Sequence, residues 1–322
     1  MPLPDLAEKW SSKVMKVTIG ATKAEGGTRE RAITVGGSAC IPFMDFEGDK
    51  GCRPVIAMDV LNTVPEWPDA LKEPYKDCLD NPAKWAAKCV KECGADMICL
   101  KLDGIHPDKG NKSADDAVAA VKAVLAAVAV PIIVWGCEDD AKDNEVMPKV
   151  SQALKGERAL LGVATEDNYK TLAAVCLADG HNIIGLAPLD INIAKQVNIL
   201  VSDVGYPVKD VVIYPTTGAL GYGLEYCYSI MERGRLAALA GDKLLQQPVL
   251  GSAGFEAWRA KECKGSDEEL PDMGAASERG PIWEAVTATN LLQAGADLLV
   301  MRHPKAIEIV KKTIGRMWGN EA

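Results

Sequence analysis

The sequence predicts an α/β protein, a (β/α)8 TIM barrel preceded by an N-terminal β-hairpin extension. From Pro54 onward, short runs rich in Val, Ile and Leu recur, each followed by a polar or Gly/Pro turn and then by a segment of helical period. These runs hardly alternate between apolar and polar residues, so both of their faces are buried, as in a parallel sheet covered by helices. Eight such units close most naturally into a barrel. An open doubly wound sheet would commonly carry a Gly-rich fingerprint after its first strand, where this chain has Met58-Asp59-Val60-Leu61-Asn62. The chain therefore divides into an extension over residues 1–53 and a barrel over residues 54–322.

In the extension, Lys13 to Ile19 and Arg31 to Val35 alternate as strands around the turn Glu25-Gly26-Gly27-Thr28, which makes a hairpin suited to plugging the bottom of the barrel. The first barrel strand is Pro54 to Val60. Its helix runs from Asn81 to Cys93, with Asn81 as cap, Pro82 in the first turn and Gly94 as the stop. The second strand, Asp96 to Leu102, leads to an alanine-rich helix from Ser113 to Val128 whose acidic start suits the positive end of the helix dipole. The third strand is Pro131 to Trp135, and no helix is assigned after it. Then come Ala159 to Ala164 with a helix from Asp167 to Ala178, and Asn182 to Leu186 with a helix from Asp190 to Val204. Asp210 to Tyr214 precedes a helix from Gly223 to Ala240. Pro248 to Gly251 is separated from its helix, Pro281 to Ala294, by a long insertion, Ser252 to Gly280. This insertion is too long for an ordinary loop and lies at the end where barrels place function. Asp297 to Met301 and a helix from Pro304 to Trp318 complete the set.

Composition narrows the function classes. With 45 acidic against 36 basic side chains and no basic run, the long-range field repels phosphate polymers, so no nucleic-acid partner is expected. The longest apolar candidate, Ala117 to Val134, is interrupted by Lys122 and Pro131 and falls short of the ~18 residues of a membrane helix. The start, Met1-Pro2-Leu3-Pro4-Asp5, lacks the charged head and apolar core of an export signal. A cytoplasmic location follows, with the ten cysteines kept reduced.

Barrel chemistry sits at the carboxyl ends of strands. The residues there include Asp59, Asn62, Lys101, Asp103 and His106, then Trp135, Glu138 and Asp139, then Thr165, Asn168, Asp190, Asn192, Thr216, Thr217, Ser252, Arg302 and His303. Asp59, Asn62 and Asp103 fit hydrogen bonds to a heterocycle, as in pterin-binding barrels, and equally fit ordinary turns. Asp190 reads first as a helix cap. Lys101 fits a Schiff-base amine, but more simply a lysine reaching solvent or paired with Asp103. Backbone donors of the glycine-bearing run Thr216 to Gly223 suit a phosphate or amide, yet its spacing matches neither a P-loop nor a dinucleotide loop. Cys78, Cys89, Cys93 and Cys99 lack iron-sulfur spacing and read as buried packing groups. Asp103, His106 and Gly110 lack the Asp-x-His-x-x-Gly spacing of a corrinoid ligand, and three histidines supply no zinc set. Neither a metal site nor a catalytic group is assigned.

Two segments carry a resemblance. Gly185-Leu186-Ala187-Pro188-Leu189-Asp190-Ile191-Asn192-Ile193-Ala194-Lys195-Gln196 and Tyr214-Pro215-Thr216-Thr217-Gly218-Ala219-Leu220-Gly221-Tyr222-Gly223-Leu224-Glu225-Tyr226 resemble the small subunit of the corrinoid/iron-sulfur protein, the delta-subunit family of the CO dehydrogenase/acetyl-CoA synthase system. Gly36-Gly37, Ala57-Met58-Asp59-Val60 and Val300-Met301-Arg302-His303-Pro304 extend the likeness over most of the chain. The resemblance implies a noncatalytic subunit of a methyl carrier in the reductive acetyl-CoA (Wood-Ljungdahl) pathway. Its partner would be a large subunit bearing the iron-sulfur cluster and the mobile corrinoid domain. A cob(I)alamin would take a methyl group from methyltetrahydrofolate on a separate, transiently docked methyltransferase and pass it to acetyl-CoA synthase. The barrel would hold and cap the corrinoid (cobalamin), because Co(I) is itself a strong nucleophile and the protein need only orient and shelter it. Thr165, Asp190, Asn192, Thr216, Thr217, Ser252 and Arg302 are the expected cofactor contacts, placed by their position at strand ends. The alternative is a methyltetrahydrofolate-dependent corrinoid methyltransferase that binds the pterin through Asp59, Asn62 and Asp103.

Overall fold

A computed structural model of the chain describes residues 6–319. The residues read as lacking an export signal, 1–5, lie outside that range. β1 (Lys16–Ile19) and β2 (Ile33–Gly36) pair antiparallel, with Lys16 opposite Gly36. Eight parallel strands then close a barrel: β3 (Val55–Leu61), β4 (Met97–Lys101), β5 (Ile132–Trp135), β6 (Leu160–Ala164), β7 (Asn182–Leu186), β8 (Val211–Tyr214), β9 (Val249–Gly251) and β10 (Ala296–Met301), which returns to pair with β3. The helices are α1 (Asp69–Lys72), α2 (Pro82–Lys91), α3 (Ala114–Ala127), α4 (Asp140–Ala153), α5 (Tyr169–Asp179), α6 (Ile191–Asp203), α7 (Leu224–Leu239), α8 (Ala253–Ala257), α9 (Lys261–Lys264), α10 (Ala276–Ala294) and α11 (Pro304–Trp318). Among the described residues no helix is long and apolar enough to cross a membrane.

The local signals act as their chemistry requires. Asn81 accepts the Lys84 N–H, Ser113 forms a reciprocal capping box with Asp116, and Asp190 accepts the Asn192 N–H. The sequence assigns no helix after the third barrel strand, but α4 stands there. Its polar first turns and internal Pro148 hide it, while Val146, Met147 and Val150 bury against the barrel and supply the packing that propensity lacks. α10 begins at Ala276, five positions before the expected Pro281.

Strand residues sort into two layers with period two. Ile56, Met58 and Val60 of β3 face the helices, whereas Ala57 faces the barrel interior with Met97, Cys99, Ile133 and Val300. Val17, Ile19, Ile33 and Val35 of the hairpin join that interior cluster, so β1 and β2 plug the bottom. The Asn182 side-chain amide donates to Thr18 O at 2.9 Å, fixing the plug to the start of β7. The link between β1 and β2 is a wide loop, not the tight turn expected: a 3-10 turn over Lys23–Glu25 ends at left-handed Gly26, and Arg29 then dives under the barrel. There its guanidinium bonds Glu157 at 2.9 Å and the carbonyls of Leu125, Val128 and Val130. All ten cysteines are free thiols, and all but Cys52 and Cys93 are buried as small packing groups.

Replacing Arg29 by Met would strand the buried Glu157 carboxylate and three carbonyls. The expected loss is about 3–5 kcal/mol of unfolding free energy, read from the urea midpoint. A loss below about 1 kcal/mol would show that the plug is not anchored by this residue.

Candidate functional site

Extending the period-two sorting to the upper strand ends brings Asp59, Lys101, Trp135, Tyr214 and Arg302 together inside the barrel mouth. Asp59 and Lys101 are only 1% and 4% exposed, and Arg302, one residue beyond β10, only 5%. The Arg302 Nε donates to Asp59 Oδ2 at 2.8 Å, and Lys101 Nζ lies 3.9 Å from the same oxygen. Aromatic faces complete the cage. Lys101 Nζ is 4.7 Å from the Trp135 ring and 4.6 Å from Phe255, while the Arg302 guanidinium is 4.7 Å from Trp67 and 5.3 Å from Phe255. Trp135 meets Tyr214 edge-on at 5.1 Å and donates its indole N–H to Glu138 at 3.0 Å. Lys101 thus pairs with Asp59 rather than Asp103, which is held at 3.0 Å by Lys109.

Above this floor opens a cavity of about 980 Å³. Its walls include Trp67 from the loop after β3, Glu138, Tyr214, and Phe255, Glu256, Trp258, Arg259 and Lys264 from the insertion. The insertion is an ordered wall. The buried Arg279 donates to the carbonyls of Glu262, Gly265, Ser266 and Gly274, and a Cβ at Gly280 would overlap the Trp258 ring. Glu284 of α10 ties it to the barrel, accepting the Trp258 indole N–H at 2.6 Å and the backbone N–H groups of Arg302 and His303 at 2.6 and 3.1 Å. Burial pushes the Glu284 carboxyl up to about 7 against these three donors, which favour the anion. His303 stacks on Trp258, and burial, aided by Lys305, lowers its imidazole to about 4.

Of the seven expected contacts, Thr216 and Arg302 line the cavity. Thr165 is engaged in a turn, donating to Asp140 and accepting from the Asn168 N–H. Asp190 caps α6, and Asn192 is exposed on that helix. Thr217 is buried and accepts the Ser252 N–H at 3.0 Å, joining the end of β9 to the loop after β8. Ser252 is also buried, with its hydroxyl unpartnered. The glycine-bearing loop already spends backbone donors on the protein, Leu220 N–H on Thr287 of α10 and Tyr222 N–H on Ala219 within the loop. Of the heterocycle trio, Asn62 Oδ1 accepts the Gly104 N–H at 2.7 Å, leaving Asn62 Nδ2 and Asp59 Oδ1 buried without partners. Among the described residues no group of three or more His, Cys, Asp or Glu side chains is placed to hold a metal ion. Trp67, Phe255, Trp258 and Glu284 escaped the sequence reading. For the aromatic residues the signal was scarcity, since a chain with 3 Phe and 7 Trp sets one of each in the mouth insertion and another Trp in a Pro-flanked loop; Glu284, one of 45 acidic side chains, carried none.

A barrel plugged below and opening above onto a cationic, aromatic floor is a (β/α)8 scaffold of the same fold as dihydropteroate synthase. The enzyme from Thermus thermophilus superposes with a TM-score of 0.55 at 17% identity, covering 94% of this chain and 100% of its own. That from Xanthomonas albilineans, solved in complex with 7,8-dihydropteroate, gives 0.55 at 14%, covering 84% and 95%. At such identities the likeness is one of fold. The family described as CO dehydrogenase/acetyl-CoA synthase delta subunit matches residues 16–311, and this chain belongs to it. Its relatives include the acetyl-CoA decarbonylase/synthase complex subunit delta of Archaeoglobus fulgidus, 40% identical over 97% of this chain and 70% of the relative. The subunit of the same description from Methanopyrus kandleri is 38% identical over 94% and 75%.

Because the folded Glu284 carboxyl holds its proton up to about 7 while an unfolded one releases it near 4.5, the folded state binds more protons between these values. Stability from this group is therefore full below about pH 4.5 and is lost as pH rises to about 7, by about 3 kcal/mol. Glu284→Gln removes that slope. His303 and Asp143 also titrate across this window, so the test is the difference between parent and variant urea midpoints at pH 5 and 7.5. A difference independent of pH would contradict the assignment.

Proposed function

We propose that the chain is the small, noncatalytic subunit of a corrinoid/iron-sulfur methyl carrier acting in the reductive acetyl-CoA pathway, with the barrel mouth as the cap over the corrinoid. Delta-subunit membership supports the setting. The observation that carries the capping role is the open cavity of about 980 Å³ at the upper strand ends, walled by Trp67, Tyr214, Phe255 and Trp258. A space this large and open suits one face of a broad macrocycle better than an enclosed small substrate. The donor set also fits: Thr216 and Arg302 offer hydrogen bonds to carboxamide oxygens, and aromatic faces suit the ring edge. Thr165, Asp190, Asn192, Thr217 and Ser252 would act from behind that surface, shaping its loops. When bound, the corrinoid supplies the cobalt nucleophile; the protein residues orient it and exclude water and oxidant. The large corrinoid/iron-sulfur subunit would be the lasting partner, with the methyltransferase and acetyl-CoA synthase docking in turn in the cytoplasm.

The unpartnered Asp59 Oδ1 and Asn62 Nδ2 favour a second reading, a methyltetrahydrofolate-dependent methyltransferase with a pterin site at the same mouth. Coexpression with the large subunit is expected to yield a stable heterodimer with corrinoid absorption, while this chain alone stays colourless. Phe255→Ala in that heterodimer should speed air oxidation of the reduced corrinoid several-fold. Saturable, tight binding of methyltetrahydrofolate by the isolated chain would favour the methyltransferase instead.

A further inference from the structure

We propose that the floor of the mouth is an oxyanion subsite, in which the free fork of Arg302, reinforced by Lys101, takes a carboxylate or phosphate group of a small molecule. The inference goes beyond the corrinoid reading and stands on donors left unspent. Arg302 uses its Nε on Asp59, and its Nη1 and Nη2 groups have no acceptor among the described residues. Lys101 Nζ has no hydrogen-bond acceptor either, its nearest carboxylate oxygen being 3.9 Å away. The Trp135 and Phe255 rings beside it soften its charge but offer no lone pair. The two cations therefore meet at a single carboxylate oxygen within 3.9 Å, while Glu256 and, toward Arg302, Glu284 act on them only through Coulomb attraction at longer range, so their unused N–H donors stay open to an added anion.

Three of the five acidic side chains lining the cavity are engaged elsewhere, and the other two, Glu66 and Asp108, pair with neither cation. Glu138 holds the Trp135 indole, Glu256 pairs with Arg259 and Asp103 with Lys109. Access exists because Arg302 lines the cavity. Phe255 touches both cations, at 4.6 and 5.3 Å, so an anion on the Arg302 fork lies within Coulomb reach of Lys101. A planar fork of paired N–H groups is the geometry that binds carboxylate and phosphate oxygens two at a time.

The test titrates the full chain with inorganic phosphate and, separately, with acetate at constant ionic strength, read by calorimetry and by tryptophan emission, since Trp67 and Trp135 lie against the two cations. Saturable binding at about millimolar concentration is expected for at least one, and the tighter anion identifies the group as phosphate or carboxylate. Lys101→Met keeps the apolar stem and leaves the Asp59–Arg302 pair intact; it should weaken binding about tenfold while unfolding stays cooperative. Arg302→Lys keeps the charge but loses the fork and should weaken it at least as much. Lys264→Met, at the cavity wall, should change little. No saturable signal from either anion, or equal affinity in Lys101→Met, overturns the proposal, and neither result depends on whether a corrinoid binds.

Discussion

The 2.8 Å bond from the Arg302 guanidinium to the Asp59 carboxylate lies across the seam where the last barrel strand meets the first. β10 pairs with β3 so that Met301 stands opposite Met58, which brings the next residue on each strand to the inner face side by side. A parallel barrel has to close on itself or leave two raw edges. Here closure and site formation are the same event, because the pair that spans the seam is also the floor of the mouth. The Arg302 backbone is clamped as well, its N–H by Glu284 and its carbonyl by the Tyr75 hydroxyl. Removing Asp59 would leave two buried cations without the oxygen they share, so the bond constrains fold and site together.

The two ends of the barrel solve opposite problems. The bottom is filled by Val17, Ile19, Ile33 and Val35, and its buried ion pairs are well satisfied: Arg29 spends its donors on Glu157, Thr28 and three carbonyls, and Arg235 bonds Asp297, Ser38 and the Gly295 carbonyl. The top is left with unspent polarity in Lys101, Arg302, Ser252 and Asn62. Full satisfaction makes a rigid plug, and incomplete satisfaction beneath a wide opening makes a receptive surface. The insertion after β9 turns that opening into a walled cavity by hanging Phe255 and Trp258 over it, with Arg279 and Glu284 as the anchors.

Much of this was legible in the chain itself. Unbroken apolar runs identified parallel strands; Asn81, Ser113 and Asp190 marked helix starts because a short polar side chain beside a free N–H acts within a few residues. α4 was missed because its helicity comes from contact with the barrel and not from its own polar, proline-bearing sequence. Thr165 stands just past β6 and Asp190 and Asn192 at the start of α6, where their side chains serve a turn, a cap and the outer face of the helix. A position along the chain says where a residue enters the mouth, not which partner claims its hydrogen bonds.

The amino-acid order by itself determined the barrel, the hairpin, most element boundaries and the family, since periodicity, caps and motif wording are local properties. Tertiary structure alone decided that Asp59, Lys101 and Arg302, as many as 243 positions apart, would share one oxygen, and that Phe255 would lean on both cations. The reason is geometric. Such encounters depend on barrel closure and strand register, which emerge only when every strand has found its neighbour.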